Sequence, residues 1–413
     1  MITDIFPWQH SGVEVKRSWP IGPEVDVLKA RWAALVNAKE KDVFFKETRD
    51  RKVNLTYPSL FAGEPDLPPL ESAKETDFRP PVRYGFRTFD RQYLIPDNRI
   101  GDYFRPSLWH AHSEKQIYIS CLFNHPLGMG PALTACAYIP DRHHYRGSYG
   151  GKDIIPLYRD PAAREPNIAP GLLDTLSAEF GKPVAAEDLA GYVYGVLAQP
   201  EYTSRFAREL GSREIRFPLT RKEGLFFRAA EFGKSLLWLH TYGGRLVSEG
   251  RLHGAVPLGK AKCLKAVPDE EDKYPNDFVY NEESKKLQVG EGIFGPVTPE
   301  VYNFEVSGFH VVKSWLGYRM RERSGRKSSP LDDIRPRVWT REFTRELLEL
   351  LWVLEKTVEG YPRQKKLFEE ILAGPLLQAN ELPPVPDEAR EAPHVPRRTS
   401  GDQGKFSFDS EQS

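Results

Sequence analysis

The residues that could carry chemistry fall into two groups, fragments that resemble active sites and segments that interleave basic with aromatic side chains. Gly233-Lys234-Ser235 matches the end of a phosphate-binding loop, yet Arg228 stands where that loop's first glycine must be. Without it the backbone amides cannot wrap a phosphate, and the neighbouring Leu236, Leu237 and Leu239 place the triplet inside an amphipathic helix. Pro268-Asp269-Glu270-Glu271-Asp272-Lys273 contains both halves of a restriction-type nuclease site run together. Those halves must come from neighbouring strands, so a solvated acidic turn is expected. His110, His112 and Glu114 would share one face of a strand and form a metal triad, with His125, His143 and His144 close in sequence but no fourth ligand set by spacing. No Asn-Pro-Pro-aromatic loop, no glycine-rich turn after a strand and no Gly-x-Ser-x-Gly elbow is present. Catalytic, cofactor-binding and metal-binding residues are therefore assigned to none of the chain, and a metal-dependent nuclease built on the acidic run or the histidines stands as the enzymatic alternative.

Three basic segments remain. The first, residues 83 to 109, sets Arg87, Arg91, Arg99 and Arg105 among Tyr93, Asn98, Tyr103 and Trp109. Arginine can address phosphates or guanine edges with two hydrogen bonds, and asparagine can do the same for adenine; surface ion pairs with Asp90, Asp97 and Asp102 would account for the same composition. The second, residues 140 to 153, carries Arg142, His143, His144, Tyr145, Arg146 and Lys152 in a glycine-rich loop between apolar strands. Loops on a rigid sheet often hold sequence-reading contacts, although a plain hairpin tip has the same pattern. The third, residues 318 to 339, gathers Arg319, Arg321, Arg323, Arg326 and Lys327 ahead of Ser328 and Ser329. That patch suits backbone phosphates, or a docking site for a protein partner.

These segments need a scaffold, and the rest of the chain supplies the signals for an α+β one. Residues 22 to 38 place Val25, Leu28, Trp32, Leu35 and Val36 at helical spacing behind a proline. Strands are expected at 116 to 123, 132 to 139 and 154 to 158, and again as short runs from 277 to 313. Helical blocks dominate from Asp188 to about Tyr242, and Thr340 can cap a last helix whose leucines form a broad apolar stripe. The expected organisation is an N-terminal helical segment at 1–63, a proline-rich and charged linker at 64–81, a larger domain with a mixed β-sheet and helical blocks at 82–384, and a disordered tail at 385–413.

Lysine plus arginine equals aspartate plus glutamate at 58 each, so no global positive field draws in a polyanion and any nucleic-acid surface must be local. The three cysteines, Cys121, Cys136 and Cys263, are too few and scattered for a disulfide framework or zinc knuckle. With no signal peptide and no apolar run of membrane-spanning length, a cytoplasmic protein is expected.

At several of these positions the sequence resembles the C-terminal specificity region of type ISP restriction-modification enzymes. The strings are IFPWQHSGVEVKRSWPI, FRTFDRQYLIPDNRI, GGKDIIPLYRD with PNIAPGLL, YVYGVLAQPEYTSRF, and SWLGYRMRERSGRKSSPLDDIRPRVWTREF. The match runs in order from about Asp4 to about Pro384. It implies a reader of an asymmetric duplex DNA site, partnered by nuclease, helicase-like ATPase and adenine N6 methyltransferase domains to which S-adenosylmethionine, ATP and magnesium would belong. It brings no cofactor to this chain.

Overall fold

The computed structural model describes residues 1–61, 63–322, 325 and 327–395. The N-terminal helix, Val25–Val36, follows extended Glu24 and buries Leu28, Trp32 and Leu35, whose spacing returns to one face each turn. Val25, expected on that face, is exposed. Trp32 donates its indole N–H to the Lys74 carbonyl at 3.1 Å, and Leu70 and Ala73 join the same core. The proline-rich stretch 64–81 is thus folded onto this helix. Further tryptophans, Trp8 and Trp19, enter the same cluster with Tyr84, Leu94, Ile95 and Phe104.

The strands form small antiparallel sheets. β1 (Ile21–Gly22), β2 (Val82–Arg87) and β3 (Asp90–Leu94) pair in the order β1-β3-β2. β4 (Tyr118–Ser120), β5 (Thr134–Cys136) and β6 (Ile154–Pro156) pair as β5-β4-β6, with Ile119 opposite both Ala135 and Ile155. Each of these three strands is buried along its length, so their apolar runs do not alternate. β7 (Lys262–Lys265), β8 (Phe278–Asn281), β9 (Lys286–Val289) and β10 (Gly292–Gly295) make a third sheet, ordered β7-β10-β9-β8. β11 (Glu305–Val306) and β12 (Phe309–His310) are a short hairpin. The run HVVKSW, read as a strand from its β-branched residues, turns helical after His310 as Val311–Gly317, because Val311, Val312, Trp315 and Leu316 are buried at helical spacing.

The larger core surrounds three helices, Ala186–Leu197, Glu223–His240 and Arg341–Leu372. The first two cross at glycines: a Cβ on Gly233 would stand 1.7 Å from the Gly191 carbonyl oxygen. Gly233 therefore serves a backbone-to-backbone approach, and Lys234 beside it pairs with Asp188 at 2.8 Å. Thr340 caps the long helix, its hydroxyl accepting from the Phe343 amide at 3.2 Å. The α+β class is as expected. Order extends into the segment read as tail: Asp387–Arg390 is helical, Arg390 pairs with Asp4 at 2.9 Å, and Arg159 donates to the carbonyls of Ala389 and Glu391. The remainder of that segment, 396–413, lies outside the described residues. Among the described residues no helix is long and apolar enough to cross a membrane.

Candidate nucleic-acid interface

The loop at 142–152 is built on Asp141. Its Oδ2 accepts from the Tyr84 hydroxyl at 2.9 Å, and its Oδ1 accepts from Arg87 Nη1 at 2.7 Å and from the His143 amide at 2.8 Å. Arg87 itself lies on the Phe86 ring, 4.0 Å from its centroid, and reaches Tyr318. The three basic segments meet here, at the root of a loop. Above it the loop closes on itself: Arg142 Nε donates to the Gly150 carbonyl at 3.0 Å, and the Gly150 amide donates to His143 Nδ1 at 3.2 Å. Burial holds the His143 pKa below the ordinary value, which suits a ring nitrogen that must accept. No side chain fits at Gly150, where a Cβ would lie 2.0 Å from the Arg142 carbonyl oxygen.

A second loop, residues 123 to 130, is fastened beside the first. Buried Asp153 accepts from the amides of Phe123 and Gly151, one in each loop. On the far side the β11–β12 turn braces it: the Gly128 amide donates to Ser307 Oγ, and the Ser307 amide to the Met129 carbonyl, both at 2.7 Å. Gly147 of the first loop rests near the Phe309 ring of the same hairpin.

What this framework presents is cationic and aromatic. Met129 is 76% exposed and Tyr149 52%. The Tyr149 ring lies against His125 with centroids 4.0 Å apart, and the Arg146 guanidinium sits 5.1 Å from it. From Phe123 to Lys152 the only acid is Asp141, against Arg142, Arg146 and Lys152. Asp141 is buried and held from below. Among the described residues Arg146 makes no ion pair.

Other residues singled out from sequence are placed differently. Arg99 is buried in a two-pronged contact with Asp97, and Asn98 is buried between Arg51 and the Pro58 carbonyl; neither side chain can reach a ligand, because each satisfies a group that would otherwise be buried unpaired. Arg87 belongs to the loop's foundation. Arg91 pairs with Glu349 at 2.6 Å while lying on the Tyr242 ring, and Tyr93 is covered by Arg83, 4.1 Å from its centroid. Arg105 lies on the flank, over Tyr103 and 3.4 Å from the Gly12 carbonyl; that backbone runs beside the loop root through bonds between Val13, Pro140 and Arg142. Arg142 also pairs with Glu14. Ser328 and Ser329 both direct their amides to buried Asp332, and Ser329 caps a short helix, so both amides are spent internally. Lys327 is exposed and pairs with Asp333 at 2.7 Å. Arg323 and Arg326 lie outside the described residues.

The histidine triad does not assemble. His110 ends the helix Pro106–His110, His112 is stacked on Tyr118, and Glu114 faces Arg245. Among the described residues no group of three or more His, Cys, Asp or Glu could hold a metal ion. The acidic run 268–273 is an exposed turn whose Glu271 and Asp272 carbonyls accept from Arg321.

Fold and surface together define a mixed α+β domain that supports two rigid, acid-poor loops. By sequence the chain belongs to the type ISP C-terminal specificity domain family, whose profile matches residues 4–350. No curated protein matches it. Among solved structures it is similar in fold to the ATP-dependent type ISP restriction-modification enzyme LlaBIII bound to DNA, with TM-score 0.60 and 14% identity over 90% of this chain. It is also similar to the DrdV–DNA complex, with TM-score 0.56 and 16% identity over 89%. The chain spans 24% and 36% of those two proteins.

Proposed function

We propose that this chain reads the DNA target of a type ISP restriction-modification system, gripping duplex DNA with the loops at 123–130 and 142–152. The observation that carries the reading is the pairing of a hydrogen-bonded framework with a loop surface of Arg146, His125 and Tyr149, in a stretch from Phe123 to Lys152 whose one acid, Asp141, is buried at the loop's root. Arginine and lysine there would neutralise phosphates, while the aromatic and histidine groups face base edges or base planes. Membership in a specificity-domain family supports it, as does likeness in fold to two proteins solved with DNA. Local charge suffices even though the chain as a whole is neutral. The system's role would be phage defence in the cytoplasm. Within it the chain orients the duplex for a methyltransferase that modifies adenine and an ATP-driven nuclease that acts on unmodified DNA. S-adenosylmethionine, ATP and magnesium belong to those partners.

The test is fluorescence anisotropy of a labelled duplex with the 413-residue chain, with and without a partner methyltransferase polypeptide. Binding that weakens with salt, and weakens further in Arg146→Gln, is the expected result. Absence of binding in both settings contradicts the reading. Incubation with plasmid and magnesium or manganese addresses the nuclease alternative, which intact plasmid removes.

A further inference from the structure

Two exposed apolar side chains, Met129 and Tyr149, stand on these loops. Ordinarily a protruding methionine or tyrosine on a glycine-rich loop would be mobile and fold back. Here the backbone beneath each is pinned. The Met129 carbonyl accepts from the Ser307 amide, and the residue before it donates to the Ser307 hydroxyl. Tyr149 holds a left-handed backbone conformation, φ 59°, which a bulky residue adopts only when its surroundings impose it. The bonds of Gly150 to Arg142 and His143 on one side supply that constraint. His125 then backs the ring, and Arg146 covers it with a cation. The β11–β12 turn lies against both places, touching Met129 through Ser307 and approaching Arg146 through Gly308.

Resting on the DNA-reading proposal above, we infer that Tyr149, backed by His125, with Met129 beside the same turn, forms a wedge that enters the base stack of the bound duplex. An aromatic plane and a flexible thioether are the groups that fill a gap between bases, and adjacent Arg146 and Lys152 would hold the phosphates on either side. Separation of two base pairs costs free energy, which rigid side chains offset without ordering themselves on binding. The wedge therefore favours DNA in which one step is already unstacked.

The experiment compares the full chain binding an intact duplex and the same duplex with one abasic site, by anisotropy at fixed salt. Sparing the cost of unstacking one step predicts that the wild-type chain prefers the abasic duplex by about tenfold. Tyr149→Asn, which suits the left-handed backbone, and Met129→Ala both bring the ratio of the two affinities toward one. Arg146→Gln, which removes the cation over the Tyr149 ring, weakens binding to both duplexes. A wild-type ratio of one, or a ratio unmoved by Tyr149→Asn and Met129→Ala, overturns the wedge while the DNA-reading proposal stands. Failure of the wild-type chain to bind either duplex overturns both.

Discussion

Arg99 and Arg146 have the same side chain and opposite tasks. Arg99 is buried against Asp97, so Arg99→Ala leaves a carboxylate without its partner and should cost about 3–5 kcal/mol, seen as a lowered urea midpoint. Arg146 stands on the surface loop, and Arg146→Gln should move stability by less than about 0.5 kcal/mol while weakening DNA binding. If Arg99→Ala leaves the midpoint unchanged, its assignment to the core is wrong. Buried histidines add a pH dependence. Burial pushes His144 and His240 down to about 3 and His112 to about 4 from an ordinary 6.5. Below 6.5 the unfolded chain takes up protons that the folded one refuses, so their contribution is fully present above 6.5 and is lost as pH falls, by about 1.4 kcal/mol per pH unit for each. Glu24, pushed up to about 7 by burial, opposes them: the folded state keeps a proton that the unfolded chain releases above about 4.5, so its effect lowers stability as pH rises. With His112, His143, His144 and His240 on one side and Glu24 and Asp153, whose carboxyl burial also raises, on the other, the urea midpoint should rise between about pH 5 and 6.5; a flat profile there contradicts the burial of the histidines.

At the scale of elements, the close crossing of Ala186–Leu197 and Glu223–His240 makes Gly233 the most sensitive small residue. Gly233→Ala drives a methyl into the Gly191 carbonyl and should destabilise by about 3 kcal/mol or more, measured by thermal or urea unfolding; a neutral result would mean the helices part easily. The helices themselves were legible because their apolar residues recur at period 3.6, and the cap at Thr340 because its hydroxyl precedes the stripe by the right interval. Residues 311–315 misled because Val311 and Val312 favour strands locally while burial at helical spacing decides. The basic loop at 142–152 was legible from its glycines and cations. Its partnership with residues 123 to 130 was not, since it is made by Asp153 and by Ser307, which lies far along the chain. Nor could composition tell Arg87, Arg99 and Asn98, which the fold consumes, from Arg146, which it presents. Asp153→Ala should loosen both loops together, reducing DNA affinity more than any single contact variant, with protection of the Phe123 and Gly151 amides from hydrogen exchange as the direct readout.

For the whole molecule, positive and negative side chains balance in number, and Arg87, Arg91, Arg99 and Arg319, picked from the sequence, are matched to carboxylates within the fold. Among the described residues, the surface proposed for DNA is a small ridge, braced by a hairpin and set on a buried sheet. Binding must then involve few phosphates, and its salt dependence should be modest and assignable. The most direct measurement is the slope of log affinity against log salt for a duplex, in wild type and Arg146→Gln. A negative slope that loses about one unit in the variant is the predicted result, whereas an unchanged slope and affinity in Arg146→Gln would place the DNA on another face.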